Sequence, residues 1–328
     1  MLAAMLGIVA AGIVVSTVSA SSVGTGTVES AEPGDEDAVL ALANDGKGDP
    51  ACNTGPGTHG NLRTNPDGSY TWVGAEATGR LWYPQGIGEA TYQSQPVKVI
   101  SWYHRTTPND ENSVDRSRVT IIYESGSKKG TYEHVELRDQ NGGFVKSHAG
   151  GVAVRNNVLY VASTNVLRAF DFSRPHDFGN AKGTGFQELR SFTPPYRETQ
   201  HDVRFSSVSF DRQNRLLVAE FNRDAKGEIN RYTIDRNGFL IYDGKPLGVG
   251  EKRVQGIAEG SDGNLYLTQS NGASSPGKLF RSTYGGTLNF TEVNGKKLPS
   301  GPEDLARGSD GLWTLTEYPC HRHILRVL

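Results

Sequence analysis

Amide, hydroxyl and carboxylate side chains occupy equivalent positions in a strand–turn–strand phrase that this chain repeats, one residue before the small residue on which the copies align, and an imidazole and a guanidinium lie close by in the sequence. These groups can hold a polar ligand or a cation. Glu303 offers a hard carboxylate oxygen of the kind that calcium prefers, and Gln85 and Gln255 offer amide oxygens. An imidazole can exchange protons or bind metal. The candidate binding set is Gln85, His148, Arg204, Ser206, Gln255, Glu303 and Asp304, with Gly150 at the remaining matched point.

Complete catalytic motifs do not accompany these residues in the sequence. There is no Gly-x-Ser-x-Gly elbow, no His-Glu-x-x-His helix and no Walker loop. Glu303 is the only carboxylate at the matched points, with Asp304 next to it, whereas glycoside cleavage requires at least two convergent carboxylates. Polar residues at such points can also be simply solvated. The set therefore predicts binding more directly than catalysis.

The repeated phrase consists of a strand that opens on small residues, a polar turn, and a second strand rich in β-branched or aromatic residues. Its clearest copies are VQGIAEGSDGNLYLTQS from Val254 and PEDLARGSDGLWTLTE from Pro302, and divergent copies begin near Pro84, His148 and Phe205. The copies align on Gly86, Gly151, Ser207, Gly256 and Asp304. The intervals are 65, 56, 49 and 48 residues. Repeats of about 50 residues are typical of propeller blades.

Two further alternating segments follow each pair of strands, except after the last copy, where the chain stops at Leu328. The segment Gly68–Gly74 precedes the first copy and could supply the missing strand. The sequence thus predicts an all-β propeller of five four-stranded blades whose ring is closed by an N-terminal strand, which would remove exposed strand edges. Six blades are the alternative if EATGRLWYP belongs to a partial blade, and a β-sandwich with coincidental turns is a second alternative.

The first 50 residues differ in composition from the rest of the chain. Residues 1–20 are apolar and end in a small-x-small cleavage pattern, which predicts a signal peptide and a secreted protein, with an uncleaved membrane anchor as the alternative. Residues 21–50 are acidic and rich in Gly, Ala and Pro, which predicts a disordered linker. The propeller domain is then expected over residues 51–328, with no membrane span after cleavage.

Cys52 and Cys320 are the only cysteines of the chain. Cys52 lies ahead of the proposed closing strand and Cys320 lies in the last blade, so ring closure could bring them together. In an oxidising compartment they would form a disulfide. Separate or free thiols are the alternative, and neither cysteine has the spacing of a zinc site or a redox motif.

The overall charge argues against one class of partner. The formal net charge of the chain is −2, and no concentrated basic run stands out in the sequence. Nucleic-acid binding would require such a basic face. The expected partner is an extracellular protein or a small polar ligand, and the protein is expected to be a monomer.

The phrases QGIAEGSDGNLYLTQS and EDLARGSDGLWTLTE resemble the blades of gluconolactonase-like and NHL-like propellers over about 100 residues near the C-terminus. That resemblance implies the propeller fold. In the gluconolactonase-like enzymes, carboxylate and amide ligands from several blades hold a divalent cation at the channel, and here only Glu303 matches a carboxylate ligand. The leading hypothesis is a secreted, non-catalytic propeller that binds through one face of the disc. The alternative is a lactonase-like or esterase-like hydrolase with a divalent cation such as calcium on Glu303.

Overall fold

The computed structural model describes residues 62–65, 68–73, 75–108, 110–139, 143–173, 187–192, 204–235 and 240–328. These residues all belong to the unit Pro33–Leu328. The predicted signal peptide (residues 1–20), the predicted linker (residues 21–50) and Cys52 lie outside the described residues. Within the described part of the chain, no helix is long and apolar enough to span a membrane.

A short N-terminal segment precedes the first blade. It contains β1 (Arg63–Thr64), β2 (Tyr70–Thr71) and one helical turn, α1 (Ala75–Thr78). The strands pair with each other in antiparallel fashion, with Arg63 opposite Thr71. Their place in the ring depends on the last strand of the chain, described below.

Blades 1 and 2 are joined into one eight-stranded sheet. Strand β10 pairs with β9 inside blade 2 and runs parallel to β6 of blade 1, so each outer strand covers the edge of the other. Blade 1 comprises β3 (Trp82–Tyr92), β4 (Gln95–Arg105), β5 (Val114–Tyr123) and β6 (Tyr132–Arg138), and blade 2 comprises β7 (Gly151–Arg155), β8 (Val158–Ser163), β9 (Val166–Asp171) and β10 (Gln187–Phe192). Single 3-10 turns occupy Glu111–Ser113 and Gly126–Lys128.

Blades 3, 4 and 5 are separate antiparallel sheets. Blade 3 comprises β11 (Phe205–Phe210), β12 (Leu216–Glu220), β13 (Glu228–Ile234), β14 (Leu240–Tyr242) and β15 (Gly248–Val249), of which the last two both pair with β13. Blade 4 comprises β16 (Val254–Glu259), β17 (Asn264–Gln269), β18 (Gly277–Thr283) and β19 (Thr291–Leu298). The last blade comprises β20 (Pro302–Gly308), β21 (Gly311–Thr316) and β22 (His323–Arg326).

The N-terminal strand completes the last blade, as the sequence predicts. Strand β2 pairs with β22, with Tyr70 opposite Ile324 and Thr71 opposite His323. Each copy of the repeated phrase forms the first two strands of a blade, so the prediction of a five-bladed propeller is confirmed. We call β3, β7, β11, β16 and β20 the inner strands, and the end of the disc at which they begin the entry face.

The alternative of a sixth, partial blade is wrong. The segment EATGRLWYP forms the helical turn α1 and then enters β3 at Trp82. A contact of Glu76 holds this turn against blade 1: the Glu76 carboxylate lies 3.2 Å from Nε2 of His134. The turn thus contacts both blade 1 and the last blade, since the N–H of Cys320 bonds to the carbonyl of Ala77, and it forms no strand of its own.

Apolar side chains fill all five gaps between neighbouring blades, one cluster in each gap. Because both faces of a blade are covered by neighbours, its central strands are buried almost throughout, and they carry β-branched and aromatic residues on both faces. Representative fully or nearly buried residues are, from the gap between blades 1 and 2 round to the gap between blades 5 and 1, Leu159, Val218, Leu267, Leu312 and Ile100.

Candidate functional site

The propeller axis is closed by a hydrogen-bonded hub centred on Asp304. Its Oδ2 accepts hydrogen bonds from the backbone N–H groups of Ile87 (3.2 Å) and Val152 (3.1 Å), and its Oδ1 accepts one from the hydroxyl of Ser207. The same hydroxyl oxygen accepts a bond from the N–H of Ile257 at 2.8 Å. The carboxylate of blade 5 therefore bonds directly to the inner strands of blades 1, 2 and 3 and reaches blade 4 through Ser207, and we call these contacts the axial hub.

Small residues allow the inner strands to approach this hub. A Cβ atom on Gly86 would lie 2.7 Å from the backbone nitrogen of Val152, and one on Gly256 would lie 2.6 Å from that of Leu305. Such distances leave no space for a side chain. The residues on which the repeats align therefore pack at the axis. Asp304 is fully buried, and a ligand-binding role for it stays a prediction.

The predicted ring residues lie one step nearer the entry face, at irregularities of the inner strands. The pairing register shifts between Pro84 and Ile87 in β3, and the other shifts lie at Phe205/Ser207, Val254/Gly256 and Pro302/Leu305. Such bulges redirect side chains out of the regular alternation of a strand. The shifts contain Gln85, Ser206, Gln255 and Glu303, with Gly86 and Asp304 of the axis beside the first and last of them. We call Gln85, Ser206, Gln255 and Glu303 the ring.

Two amide–carboxylate pairs occupy the arc of the ring formed by blades 4, 5 and 1. Nε2 of Gln85 donates to Oε2 of Glu317 over 2.7 Å, and Nε2 of Gln255 donates to Oε1 of Glu303 over 3.4 Å. Glu303 is 1% exposed, whereas Gln255 and Glu317 are half-buried. Planar amides and carboxylates in a partly desolvated position retain further donor and acceptor capacity for a polar ligand.

Small groups form the opposite arc, on blades 2 and 3. Gly150 carries no side chain, and a Cβ there would lie 2.9 Å from the carbonyl oxygen of Ser206. The hydroxyl of Ser206 donates to the carbonyl of Val254 at 2.8 Å. His148 is half-buried, with its ring 4.8 Å from that of Tyr103. Arg204 is exposed at the start of β11. All seven candidates thus lie at or beside the inner strands, but only part of the set shares contacts.

Glu317 is the functional candidate that the alignment of first strands missed. It follows β21, and Glu220 and Asn222 lie at the corresponding end of β12 in blade 3. Glu220 accepts a bond from the N–H of Glu228, and Asn222 caps a turn through the N–H groups of residues 224 and 225. Only Glu317 of the three contacts a ring residue among the described contacts. The end of a second strand was the available signal.

Aromatic and basic side chains stand beside the ring on blade 1. The rings of Tyr83 and Tyr103 stack 5.3 Å apart at an interplanar angle of 12°. The guanidinium of Arg105 lies 4.5 Å from the centroid of Tyr83 and donates to the hydroxyl of Tyr103 at 2.6 Å. Burial raises the pKa of the Tyr83 phenol despite these cations, so it stays protonated at neutral pH.

Two residues at the entry face have an unusual backbone conformation. Ala149 and Arg253, which lie just before their inner strands, have φ angles of 50° and 54°. Positive φ at Asn156 and Asn157, in the turn at the opposite face, follows from ordinary hairpin chemistry. Ala and Arg have no such preference. Strained backbone of this kind is concentrated at functional sites in proteins.

Metal-binding geometry is not assembled by the described residues. Among them, no group of three or more His, Cys, Asp or Glu side chains is placed to hold an ion. Glu303 accepts a hydrogen bond from the amide of Gln255. The other carboxylate near the ring, Glu317, accepts one from Gln85. A calcium ligand role for Glu303 therefore stays a prediction.

Comparisons with known proteins find similar structures only. No family model matches the sequence, and no curated protein matches it significantly. An aldose sugar dehydrogenase from Streptomyces coelicolor, solved in its PQQ-bound form, has 14% identity over 82% of this chain and 94% of that chain, with a TM-score of 0.41.

Two more solved structures show a similar degree of likeness. The first, described as an oxidoreductase (glucose dehydrogenase) from Thermus thermophilus, has 13% identity over 84% of this chain and 98% of that chain, with a TM-score of 0.39. A β-xylosidase, RS223, has 9% identity over 74% of this chain and 90% of that chain, with a TM-score of 0.40. The five observed blades, closed by an N-terminal strand, confirm at the level of the fold the resemblance to the gluconolactonase-like and NHL-like β-propellers.

Proposed function

We propose that this protein is a secreted, monomeric propeller that binds a small polar ligand, or a polar group of an extracellular protein, on the entry face. The observation that carries the proposal is the ring itself. Bulges in four inner strands hold Gln85, Ser206, Gln255 and Glu303 at the entry side of an axis that the hub of Asp304 closes. A ligand therefore rests on the ring.

Hydrogen-bond capacity determines the kind of ligand that the ring can hold. Nε2 of Gln85 donates to Glu317 and also to the carbonyl of Pro84 at 3.1 Å, so this amide offers a ligand mainly its oxygen. A carboxylate oxygen can accept more than one hydrogen bond. A ligand with hydroxyl, amide or charged oxygen groups could form hydrogen bonds with the ring. A purely apolar ligand would displace water from these polar groups without replacing its hydrogen bonds, which is unfavourable.

We predict that replacing Gln85 by alanine weakens ligand binding at least tenfold. The change removes the hydrogen bond that Gln85 donates to Glu317. The Glu317 carboxylate would then no longer be held in the orientation that binds the ligand. The measurement is a thermal-shift screen of wild type with a panel of monosaccharides, amino acids and dicarboxylates, followed by calorimetry on each hit. Gln213→Ala is the matched control, because Gln213 is exposed in the turn at the opposite face. Equal affinities in the three proteins would remove the ring from the site.

Glu303 separates this proposal from a calcium-dependent lactonase or esterase. In the hydrolase alternative, Glu303→Gln abolishes both the heat of calcium binding and turnover of a lactone and ester panel. In the binding proposal, wild type gives no metal-dependent turnover. Metal-dependent hydrolysis by wild type that vanishes in the variant would establish the alternative.

Secretion and a Cys52–Cys320 disulfide are part of the proposal. The paired closing strand supports it, because β1 and β2 bring the chain after Cys52 to the last blade, where the N–H of Cys320 bonds to the carbonyl of Ala77 at 2.8 Å. In the chain-entropy model, a disulfide that closes so long a loop lowers the entropy of the unfolded chain and stabilises the fold by about 5 kcal/mol at most.

We predict that Cys320→Ser lowers the melting temperature under oxidising conditions and leaves it unchanged in the presence of a reductant. Peptide mapping of secreted wild type should recover Cys52 and Cys320 in one linked fragment, and N-terminal sequencing should begin near Ser21. Two free thiols in the mapped protein would show that strand pairing alone closes the ring.

A further inference from the structure

Two arginines occupy equivalent positions on neighbouring blades at the entry face. Arg204 lies three residues before Ser207 of the axial hub, and Arg253 lies three residues before Gly256, the matching residue of blade 4. The end of β12 connects them: the carbonyl of Arg204 accepts a bond from the N–H of Phe221, and the carbonyl of Asn222 accepts one from the N–H of Arg253, both at 2.7 Å. This bridge fixes both residues beside the gap between blades 3 and 4.

Neither guanidinium is neutralised within the part of the chain that the structure describes, where no ion pair or side-chain hydrogen bond involves Arg204 or Arg253. Two carboxylates of the surrounding loops have other partners, and Asp224, in the loop after β12, is exposed. Glu251 pairs with Lys226 at 2.7 Å, and Glu220 accepts the N–H of Glu228 at 2.8 Å. A bound anion would be attracted by both positive charges.

The backbone of Arg253 gives an independent indication of function. Its φ angle is 54°, and its equivalent in the next blade, Gly301, has a φ angle of 64°. Glycine is the residue that adopts this conformation without strain. Hydrogen bonds hold the position on both sides, because the N–H of Arg253 bonds to Asn222 and its carbonyl accepts from Ser270 at 3.2 Å. An arginine at a site that suits glycine indicates that its side chain is needed.

The ring lies directly beside these charges. Ser206 and Gln255 follow the two arginines by two residues on the same strands, so each blade places a cation at the rim and a polar group on the ring. Ser206 also connects the blades, because its hydroxyl bonds to the carbonyl of Val254 at 2.8 Å. A ligand seated on the ring could therefore direct one end towards both guanidinium groups.

We propose that Arg204 and Arg253 together bind an oxyanion group of the ligand, namely a carboxylate, phosphate or sulfate. This inference rests on the proposed ligand site on the entry face and identifies the charge of its ligand. The guanidinium fork matches the oxygen atoms of these groups and can donate two parallel hydrogen bonds to each. The amide of Gln255 would contact the uncharged part of the same ligand.

The test uses inorganic phosphate, inorganic sulfate and malonate as separate probes, titrated by calorimetry at constant ionic strength into the complete secreted protein. We expect Arg204→Gln and Arg253→Gln each to weaken binding of the preferred probe at least tenfold. Arg307→Gln is the matched control, because Arg307 is half-buried at the far end of inner strand β20 and should leave binding unchanged. The order of the three probes identifies the oxyanion. Binding that all three variants retain equally, or no binding of any probe by wild type, would overturn the inference.

Arg253→Gly supplies a readout that a structural role would not produce. The glycine relieves the strained backbone, so the melting temperature should rise, while binding of the probe falls at least tenfold. A fall in melting temperature or unchanged binding would contradict the inference. If ligands found in the screen depend on Gln85 but not on the arginines, this inference fails and the proposed function stands. If anions bind through the arginines but no ligand is sensitive to Gln85, the arginine site stands and the proposed role of the ring fails.

Discussion

Replacing Asp304 by alanine should lower the free energy of unfolding by about 3–5 kcal/mol, because the change leaves buried donors from several blades without an acceptor. The N–H groups of Ile87 and Val152 and the hydroxyl of Ser207 all lose their partner at once. Urea denaturation of the variant and wild type at pH 7 measures the difference. Asp243→Ala, which breaks the surface pair with Arg231, is the control and should cost less than about 1 kcal/mol.

The pH dependence of this effect has a definite sign. Burial raises the pKa of Asp304 well above its ordinary value, although its hydrogen bonds to Ser207, Val152, Leu305 and Ile87 act in the opposite direction. A carboxyl whose pKa is higher in the folded than in the unfolded protein stabilises the fold at low pH, and this contribution is lost as pH rises through the folded pKa. Asp304→Asn cannot titrate, so wild type should lose stability relative to this variant as pH rises from about 4.

A pH-independent difference between wild type and Asp304→Asn would show that the carboxyl does not change its protonation in this range. A cost for Asp304→Ala no larger than that of Asp243→Ala would show that the axis does not depend on the hub. In the second case, apolar packing between the blades would be sufficient to hold the ring.

The repeat can be recognised from the sequence because each copy has the same local pattern of residues. Alternating apolar and polar residues around a Ser-Asp-Gly turn predict a hairpin wherever they occur, and the prediction of five blades followed from the number of copies. The closing strand could be predicted as well, since one blade was a strand short and Gly68–Gly74 was unassigned. Its pairing with β22 confirms that reasoning.

The chemistry at the aligned positions depends on lateral placement of the blades, and no local pattern encodes that. In the sequence, Gly86, Ser207 and Asp304 are simply small or polar residues at the same point of the repeat. In the structure they meet at the axis, while the residue before each of them belongs to the ring. Whether a side chain faces the axis or the entry face is decided by the bulges, which a single sequence does not reveal. Arg253 is a similar case, since its positive φ is a property of the folded backbone.

Replacing Arg322 by lysine should cost about 3 kcal/mol or more of the free energy of unfolding. Arg322 is 1% exposed, and its guanidinium donates to three backbone carbonyls: Nε to Glu317 at 2.8 Å, Nη1 to Glu76 at 2.7 Å and Nη2 to Trp82 at 2.7 Å. These carbonyls belong to the end of β21, to α1 and to the start of β3. A lysine ammonium cannot reproduce the planar fork that reaches all three.

Arg322 is charged at neutral pH, so all of its N–H groups are available as donors. Burial lowers the pKa of its guanidinium to about 10, so the group remains protonated. Arg326→Lys is the matched control at the other end of β22, because the ion pair of Arg326 with Asp310, at 3.5 Å, is exposed. We expect that control to change the free energy of unfolding by less than about 0.5 kcal/mol in urea denaturation.

Arg322 also connects closure of the ring to the proposed site. It holds the backbone of Glu317, whose carboxylate accepts the hydrogen bond of Gln85, so Arg322→Lys should weaken ligand binding as well as folding. Calorimetry below the melting temperature of the variant separates the two effects. If Arg322→Lys and Arg326→Lys prove equally stable, the three carbonyls must be satisfied without the guanidinium; if the variant is destabilised but binds its ligand as wild type does, the position of Glu317 is set by β21 alone.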